Sequence, residues 1–156
     1  MEPIMTRRGG ALFEFTRLPR EEAIDPIAHS PLTASLVVAE YKGRVLLVFD
    51  RYRQNWEIPS GTIEPGESPR ECIIRELLEE SGQSVSDVNF VGVIKFGKPN
   101  GPYAFGAMYS CSLQTVSEFQ PNDEIAGTEY WDFHSDIGYI DEISRYLAAE
   151  LVKRQD

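Results

Sequence analysis

The 156-residue sequence predicts an α/β (α+β) fold in which one central mixed β-sheet is layered between helices. Three observations carry that prediction. Apolar, β-rich runs come in pairs, at 33–41 with 44–52 and at 89–98 with 102–113. The segment 68–81 between the pairs changes to helical periodicity, and a second helical stripe closes the chain. The order strands, helix, strands, helix is not the regular alternation of a parallel βαβ fold.

Taken in order, ALFEFTRL at 11–18 reads as a strand and REEAIDPIAHSP as a connecting loop. Residues 1–30 thus form an N-terminal strand-and-loop arm that covers a sheet edge or meets a second subunit. The runs TASLVVAEY and RVLLVFDRY are joined by Lys42-Gly43 as a hairpin of the core sheet. Ser68 caps the first helix, with Pro69 at its first position, Glu71 as the capping-box partner and Gly82 as the left-handed stop. The runs NFVGVIKFGK and PYAFGAMYSCSL meet at Asn100-Gly101, a dipeptide suited to a tight turn. A polar loop EFQPNDEIAGTE, a short strand YWDF and a last helix over 139–153 complete the chain, with Ile140, Ile143, Leu147 and Leu151 on one stripe.

Length and composition suit a single domain spanning 1–156, because a chain of this size buries roughly two thirds of its unfolded surface. No run of about 18 apolar residues is present, and the N-terminus lacks the apolar segment of a secretory signal. Cys72 and Cys111 stand far apart, with His29 and His134 as the only histidines, so neither a disulfide framework nor a zinc site is indicated. These features fit a reduced, cytoplasmic compartment. A net charge of −10 argues against binding a nucleic-acid polymer, which needs clustered lysine and arginine. An acidic protein receives an acidic phosphate through bridging cations, which calls for a carboxylate cluster.

Such a cluster lies on the first helix. At 100° per residue, Ile73, Ile74, Leu77 and Leu78 occupy one arc, and Glu76, Glu79 and Glu80 fall together on the opposite side. Two like charges about 4 Å apart repel by roughly 4 kcal/mol at an effective dielectric near ~20. Solvent or a hard divalent cation relieves that repulsion. For an isolated Glu-Glu pair, the wet face of an amphipathic helix is the commoner explanation.

The surrounding sequence decides against that explanation. GTIEPGESPRECIIRELLEESGQ, residues 61–83, resembles the Nudix box at Gly61, Glu67, Arg75, Glu76, Leu77, Glu79, Glu80 and Gly82. At about 7% usage per fixed residue, a chance match is on the order of one in a million. Gln83 departs from the pattern, standing where the box ends on an apolar residue.

The resemblance implies a Nudix-like α/β/α sandwich and a Mg2+-dependent hydrolase, with Mn2+ able to replace the ion. It implies that Glu79 and Glu80 bind metal, that Glu76 is a ligand or general base, and that the Ser60 carbonyl joins the metal shell. Arg75 is then an orienting residue, against the alternative of a surface ion pair with Glu71 or Glu79. Glu67 is either a ligand through water, facing substrate, or a brace for the loop 63–69. A further carboxylate from the late loop is expected, with Glu124 preferred over Glu129 and Asp123 behind them. The physics agrees, since phosphoanhydride hydrolysis needs an in-line water, charge stabilisation on the phosphate oxygens and a proton acceptor.

The family cleaves a nucleoside diphosphate linked to another moiety. DRYRQNWEIPSG is similar to the approach to the box in ADP-ribose and nucleotide-sugar pyrophosphatases, which implies phosphate binding by Arg51 and Arg53 and gives Pro99 a subfamily meaning. Exposed charge at a strand end and turn chemistry are the alternatives. The reading therefore leans to ADP-ribose or a nucleotide sugar; the competing reading is a MutT-type nucleoside triphosphate pyrophosphohydrolase, which suits the short chain and in which Tyr103, Phe105 or Trp56 stacks a base or simply packs. A nucleotide sensor without turnover is the reading from another class, opposed by the intact Arg75-Glu76 and Glu79-Glu80. A homodimer exchanging the N-terminal strand and a monomer fit the sequence equally.

Overall fold

A computed structural model describes residues 1–152. Its strands are β1 (Ile4–Met5), β2 (Ala11–Arg17), β3 (Leu32–Tyr41), β4 (Arg44–Asp50), β5 (Asn55–Glu57), β6 (Ser60–Thr62), β7 (Asn89–Gly97), β8 (Tyr103–Ser112) and β9 (Ile125–Trp131). The helices are α1 (Pro69–Ser81) and α2 (Glu142–Leu151), with one 3-10 turn at Glu21–Ala23. All strands join one mixed sheet in the order β1-β2-β7-β8-β3-β4-β5, with β6 also on β3 and β9 also on β4.

Both faces of this sheet are covered, which is why its central strands read as unbroken apolar runs rather than alternating ones. Val37, Ala39, Leu46, Ala107 and Tyr109 pack with Ile73 and Leu77 of α1. Their neighbours Val38, Val45, Leu47 and Met108 point the other way and pack with Leu147 and Ala148 of α2. The chain is therefore an α/β/α sandwich, and each fully buried large apolar side chain contributes on the order of 2 kcal/mol.

The expected hairpin of β3 and β4 exists only at its tip. Lys42 and Gly43 take φ values of 52° and 79°, and only Glu40 with Val45 and Tyr41 with Arg44 pair beyond them. The two strands then diverge, because β3 runs parallel with β8 along its other edge while β4 pairs with β9. The opening takes in β5 against β4 and β6 against β3, and the Val37 N–H donates to the Pro59 carbonyl at 3.1 Å. The residues just before and at the start of the box are thereby held inside the sheet.

Two boundaries differ from expectation, and the N-terminal strand finds its place. Strand β9 starts at Ile125, within the predicted loop, because pairing with β4 recruits residues whose own sequence carries no alternation. Helix α2 starts only after the Asp141 cap, since Ile140 bridges Trp56 in extended form, and the predicted end at residue 153 lies outside the described residues. The N-terminal strand is an integral part of the sheet: β2 pairs antiparallel with β7 on one side and with the two-residue β1 on the other, and Leu12 is fully buried in the α2-side core. Among the described residues no helix is long and apolar enough to cross a membrane.

Candidate active site

Helix α1 begins as its sequence dictates. The Ser68 side chain accepts from the Glu71 N–H at 3.1 Å and the Glu71 carboxylate from the Ser68 N–H at 2.9 Å, and Gly82 closes the helix at φ 77°. Glu71 is thus committed to the cap rather than to Arg75. Ile73 and Leu77 face the sheet, but the expected partition of the helix fails at two positions: Leu78 is 50% exposed, whereas Glu80 is only 4% exposed. The reason is β6. Its Ser60 N–H has no strand partner on the side facing α1 and donates to Glu80 Oε1 at 3.0 Å, so the helix buries a carboxylate where a backbone donor awaits it. Glu76, one turn earlier, packs against Gly61, where a Cβ would collide with its carboxyl carbon.

Arg75 organises the outer carboxylates. Its Nε donates to Glu67 Oε2 at 2.7 Å and its Nη2 to Glu67 Oε1 at 2.9 Å, a two-pronged fork. Its Nη1 donates to Glu76 Oε1 at 2.8 Å and to Glu79 Oε2 at 3.2 Å. Glu67 also accepts from the Glu64 N–H at 3.0 Å, so its oxygens brace the loop ahead of α1. The Arg75 fork, aided by that backbone donor, holds the Glu67 carboxyl down at about 2.

The late loop is tied to the same region. Asn122 Oδ1 accepts from the N–H groups of Glu124 and Ile125, and Asn122 Nδ2 reaches the Glu79 carbonyl at 3.2 Å. Arg51 supports this loop: its N–H donates to the Glu124 carbonyl at 2.9 Å and its Nε to the Asn122 carbonyl at 2.8 Å. Gln83 is buried and exchanges two hydrogen bonds with Ser117, at 2.7 and 2.9 Å, tying the end of α1 to the segment leading to Glu124. A polar residue at that box position thus packs without an orphaned group. Glu129, by contrast, lies beyond this loop in β9, opposite Leu47.

A cavity of about 620 Å³ opens between these elements, and Glu57, Glu76, Glu80, Glu124 and Asp141 line it together with Arg53. Leu36, Ile58, Ile94, Phe96 and Ile143 supply an apolar wall. Arg53 Nη1 donates to Asp50 Oδ2 at 2.6 Å and to Glu57 Oε1 at 2.9 Å, which fixes the guanidinium at the rim. Burial pushes the Glu57 carboxyl up to about 8 despite Arg53. Burial, with Glu76 and Glu124 nearby, pushes Glu80 up to about 10 against the lowering effect of the Ser60 N–H. Glu76 is also raised, chiefly by burial.

Sequence reasoning missed Glu57, Asp141 and Phe96, whose place depends on β5, the α2 cap and β7 meeting in space. The buried position of Glu57 had one signal, its closeness to the box. The aromatics singled out from sequence lie elsewhere. Trp56 donates to the Ile137 carbonyl at 2.7 Å and packs on Phe49. Tyr103 and Phe105 pack on each other, and neither lines the cavity. Pro99 is exposed in the β7–β8 turn closed by the Gly101 N–H to Lys98 carbonyl bond at 3.0 Å.

Among the described residues no three acidic, histidine or cysteine side chains already surround one point as an ion would require. Arg75 draws Glu76 and Glu79 toward itself, and the Glu79 side chain is largely exposed. The donor set nevertheless suits a hard cation: all oxygen, with Glu80 buried at the energetic cost of a carboxylate that no cation among the described residues pairs with directly. Glu76, Glu79, Glu80, Glu124 and the Ser60 carbonyl are the groups that could hold it.

A family model for the NUDIX domain matches residues 29–147. Over 68 residues, 44% of this chain, the sequence is 37% identical to an RNA pyrophosphohydrolase of Proteus mirabilis, covering 38% of that protein. Over 75 residues, 48% of this chain, it is 37% identical to a MutT-like protein of Streptomyces ambofaciens, again covering 48%. The matched stretch spans less than half the length of either relative. Among solved structures, a Bacillus subtilis pyrophosphohydrolase superimposes with TM-score 0.71 at 14% identity, over 98% of this chain and 100% of that one. A MutT NUDIX hydrolase from Burkholderia pseudomallei gives 0.65 at 18% identity, over 77% and 96%. An ADP-ribose pyrophosphatase from Streptococcus suis gives 0.56 at 18%, over 79% and 92%. At such identities the likeness is one of fold.

Proposed function

This chain belongs to the NUDIX family, and from that premise we propose that it is a metal-dependent pyrophosphohydrolase that cleaves the phosphoanhydride of a nucleoside diphosphate linked to another moiety. One observation carries the reading: a buried Glu80, held by the Ser60 N–H, faces the same cavity as Glu76 and Glu124. Magnesium, or manganese in its place, supplies charge neutralisation on the phosphate oxygens and an acidified water.

The chain's own groups divide the remaining work. Glu76 accepts the proton of the attacking water, and Arg75 and Gly61 together hold its carboxylate in position. Glu79, Glu80 and the Ser60 carbonyl hold the ion, with Glu124 completing or tuning the site from the late loop. Glu67 acts through Arg75 as a brace. Arg53 offers positive charge at the rim, Arg51 stabilises the loop that carries Glu124, and the Phe96 wall accepts the apolar face of a nucleoside.

For the moiety beyond the diphosphate, ADP-ribose or a nucleotide sugar and a nucleoside triphosphate are the two readings. The turn position of Pro99 and the loop contacts of Arg51 leave Arg53 as the feature favouring the first; the likeness to MutT proteins favours the second. The net charge of −10 favours a small nucleotide over a polymer. The test is phosphate or nucleotide release from ADP-ribose, nucleotide sugars, nucleoside triphosphates and a 5′-triphosphorylated oligonucleotide, with magnesium present or chelated, for wild type and Glu79→Gln. Turnover by wild type that requires magnesium and that the variant lacks is the expected result. No turnover above the variant's background of any compound would end the hydrolase reading and favour a sensor.

A further inference from the structure

Residues 1–28 of the N-terminal arm lie outside the matched family region 29–147, yet the arm's first turn reaches the mouth of the site. Residues 6–10 join β1 to β2 in a turn closed by the Thr6 N–H to the Gly10 carbonyl at 2.9 Å and the Gly9 N–H to the Thr6 carbonyl at 3.0 Å. Arg7 fastens this turn to the rest of the molecule. Its guanidinium lies 3.5 Å from the centre of the Tyr139 ring and donates to the Gln54 carbonyl at 3.2 Å. Gln54 belongs to the β4–β5 turn that also carries Arg53.

The next residue, Arg8, lines a second cavity of about 530 Å³ with Asp50, Tyr52, Arg53, Asp123 and Glu124. Arg53 and Glu124 line both cavities, so the second adjoins the first beside the late-loop carboxylate. The charges in this extension are unequally committed. Asp50 accepts from Arg53 and from the N–H groups of Tyr52 and Arg53, and Arg53 is further held by Glu57. Arg8 makes no hydrogen bond or ion pair among the described residues. Beside it the Tyr52 ring is 81% exposed.

We propose that Arg8 binds the phosphate lying beyond the anhydride under attack, so that the substrate class is a nucleoside polyphosphate rather than a nucleotide ending in an uncharged sugar. This deepens the hydrolase reading and rests on its cavity. A substrate whose diphosphate sits at Glu76, Glu80 and Glu124 leaves that site past Arg53, and a further phosphate there meets a guanidinium with its donor fork uncommitted. Asp123 and Glu124 repel an anion at the same place, which makes the Arg8 charge decisive for accepting one. Arg7 is a positioning residue, acting through the turn that presents Arg8.

The test is equilibrium binding of the magnesium complexes of methylene-bridged, uncleavable analogues of ADP and ATP. Wild type is expected to prefer the ATP analogue by about tenfold, the size of one charge-assisted contact at a solvent-open site. Arg8→Ala erases that preference and leaves ADP-analogue affinity within about twofold, while Arg8→Lys restores part of it. Arg7→Ala reduces the preference with an unchanged Tm. Equal weakening of both analogues by Arg8→Ala, no weakening of either, or a wild type that prefers neither overturns the proposal. A preference that depends on Arg8 without hydrolysis of any compound in the panel overturns the catalytic reading and leaves the Arg8 assignment standing.

Discussion

Gly61 and Glu76 occupy each other's space: a side chain of any kind at Gly61 would overlap the Glu76 carboxyl group. The glycine is therefore demanded by the position of one carboxylate rather than by a turn. Gly61→Ala is expected to displace Glu76, to cost about 1–3 kcal/mol of stability as an overpacking change and to depress kcat more than it raises KM. Denaturant melts and steady-state kinetics on the same preparation check it. Full activity in this variant would remove Glu76 from the role of proton acceptor.

Glu80→Gln separates stability from activity. The amide keeps an oxygen for the Ser60 N–H and abolishes the burial cost of the charge, so the metal-free variant is expected to melt no lower than wild type. Its kcat/KM with magnesium should fall by about 100-fold or more, equivalent to roughly 2.7 kcal/mol of lost transition-state stabilisation. Thermal melts with chelator, set beside magnesium titrations of activity, read both halves.

The pH dependence of stability follows from Glu80 and Glu57, raised to about 10 and about 8. An acid with a raised folded pKa keeps its proton in the native state while the unfolded chain releases it. Its stabilising contribution is full below about 4.5 and is lost as pH rises toward the folded value. Without metal, Tm should therefore decline from about pH 5 toward pH 9. Magnesium, by favouring the ionised carboxylates, should raise Tm by an increment that grows with pH, and calorimetry should detect proton release on binding. An increment independent of pH would disconnect Glu80 from the metal site.

Arg75 is shared among Glu67, Glu76 and Glu79, and Lys cannot reproduce its fork. Arg75→Lys is expected to lower activity about tenfold and to cost no more than about 1 kcal/mol, because the pairs are partly solvent-screened. Glu67→Gln should reproduce much of the loss in activity if Glu67 acts through Arg75, and a double-mutant cycle on kcat should show strong non-additivity. Additive losses would make Glu67 an independent contributor.

The sequence by itself determined the elements whose causes are local. The capping box of Ser68 and Glu71, the stop at Gly82, and the turns at Lys42-Gly43 and Asn100-Gly101 depend on neighbouring residues, and each stands where its chemistry requires. The spacing of Gly61, Glu67, Arg75, Glu76, Glu79 and Glu80 likewise announced the family. Tertiary structure alone decided which of those carboxylates goes inside. Helical periodicity put Glu80 with the wet residues and Leu78 with the core, and the opposite holds because β6 brings an unpaired Ser60 N–H to that side of α1. Glu57, Asp141, Phe96 and Arg8 reach the two cavities from β5, the α2 cap, β7 and the arm. Their meeting depends on β3 and β4 parting beyond a hairpin tip, where competition from β8 and β9 for backbone hydrogen bonds outweighs the local pairing that the turn begins.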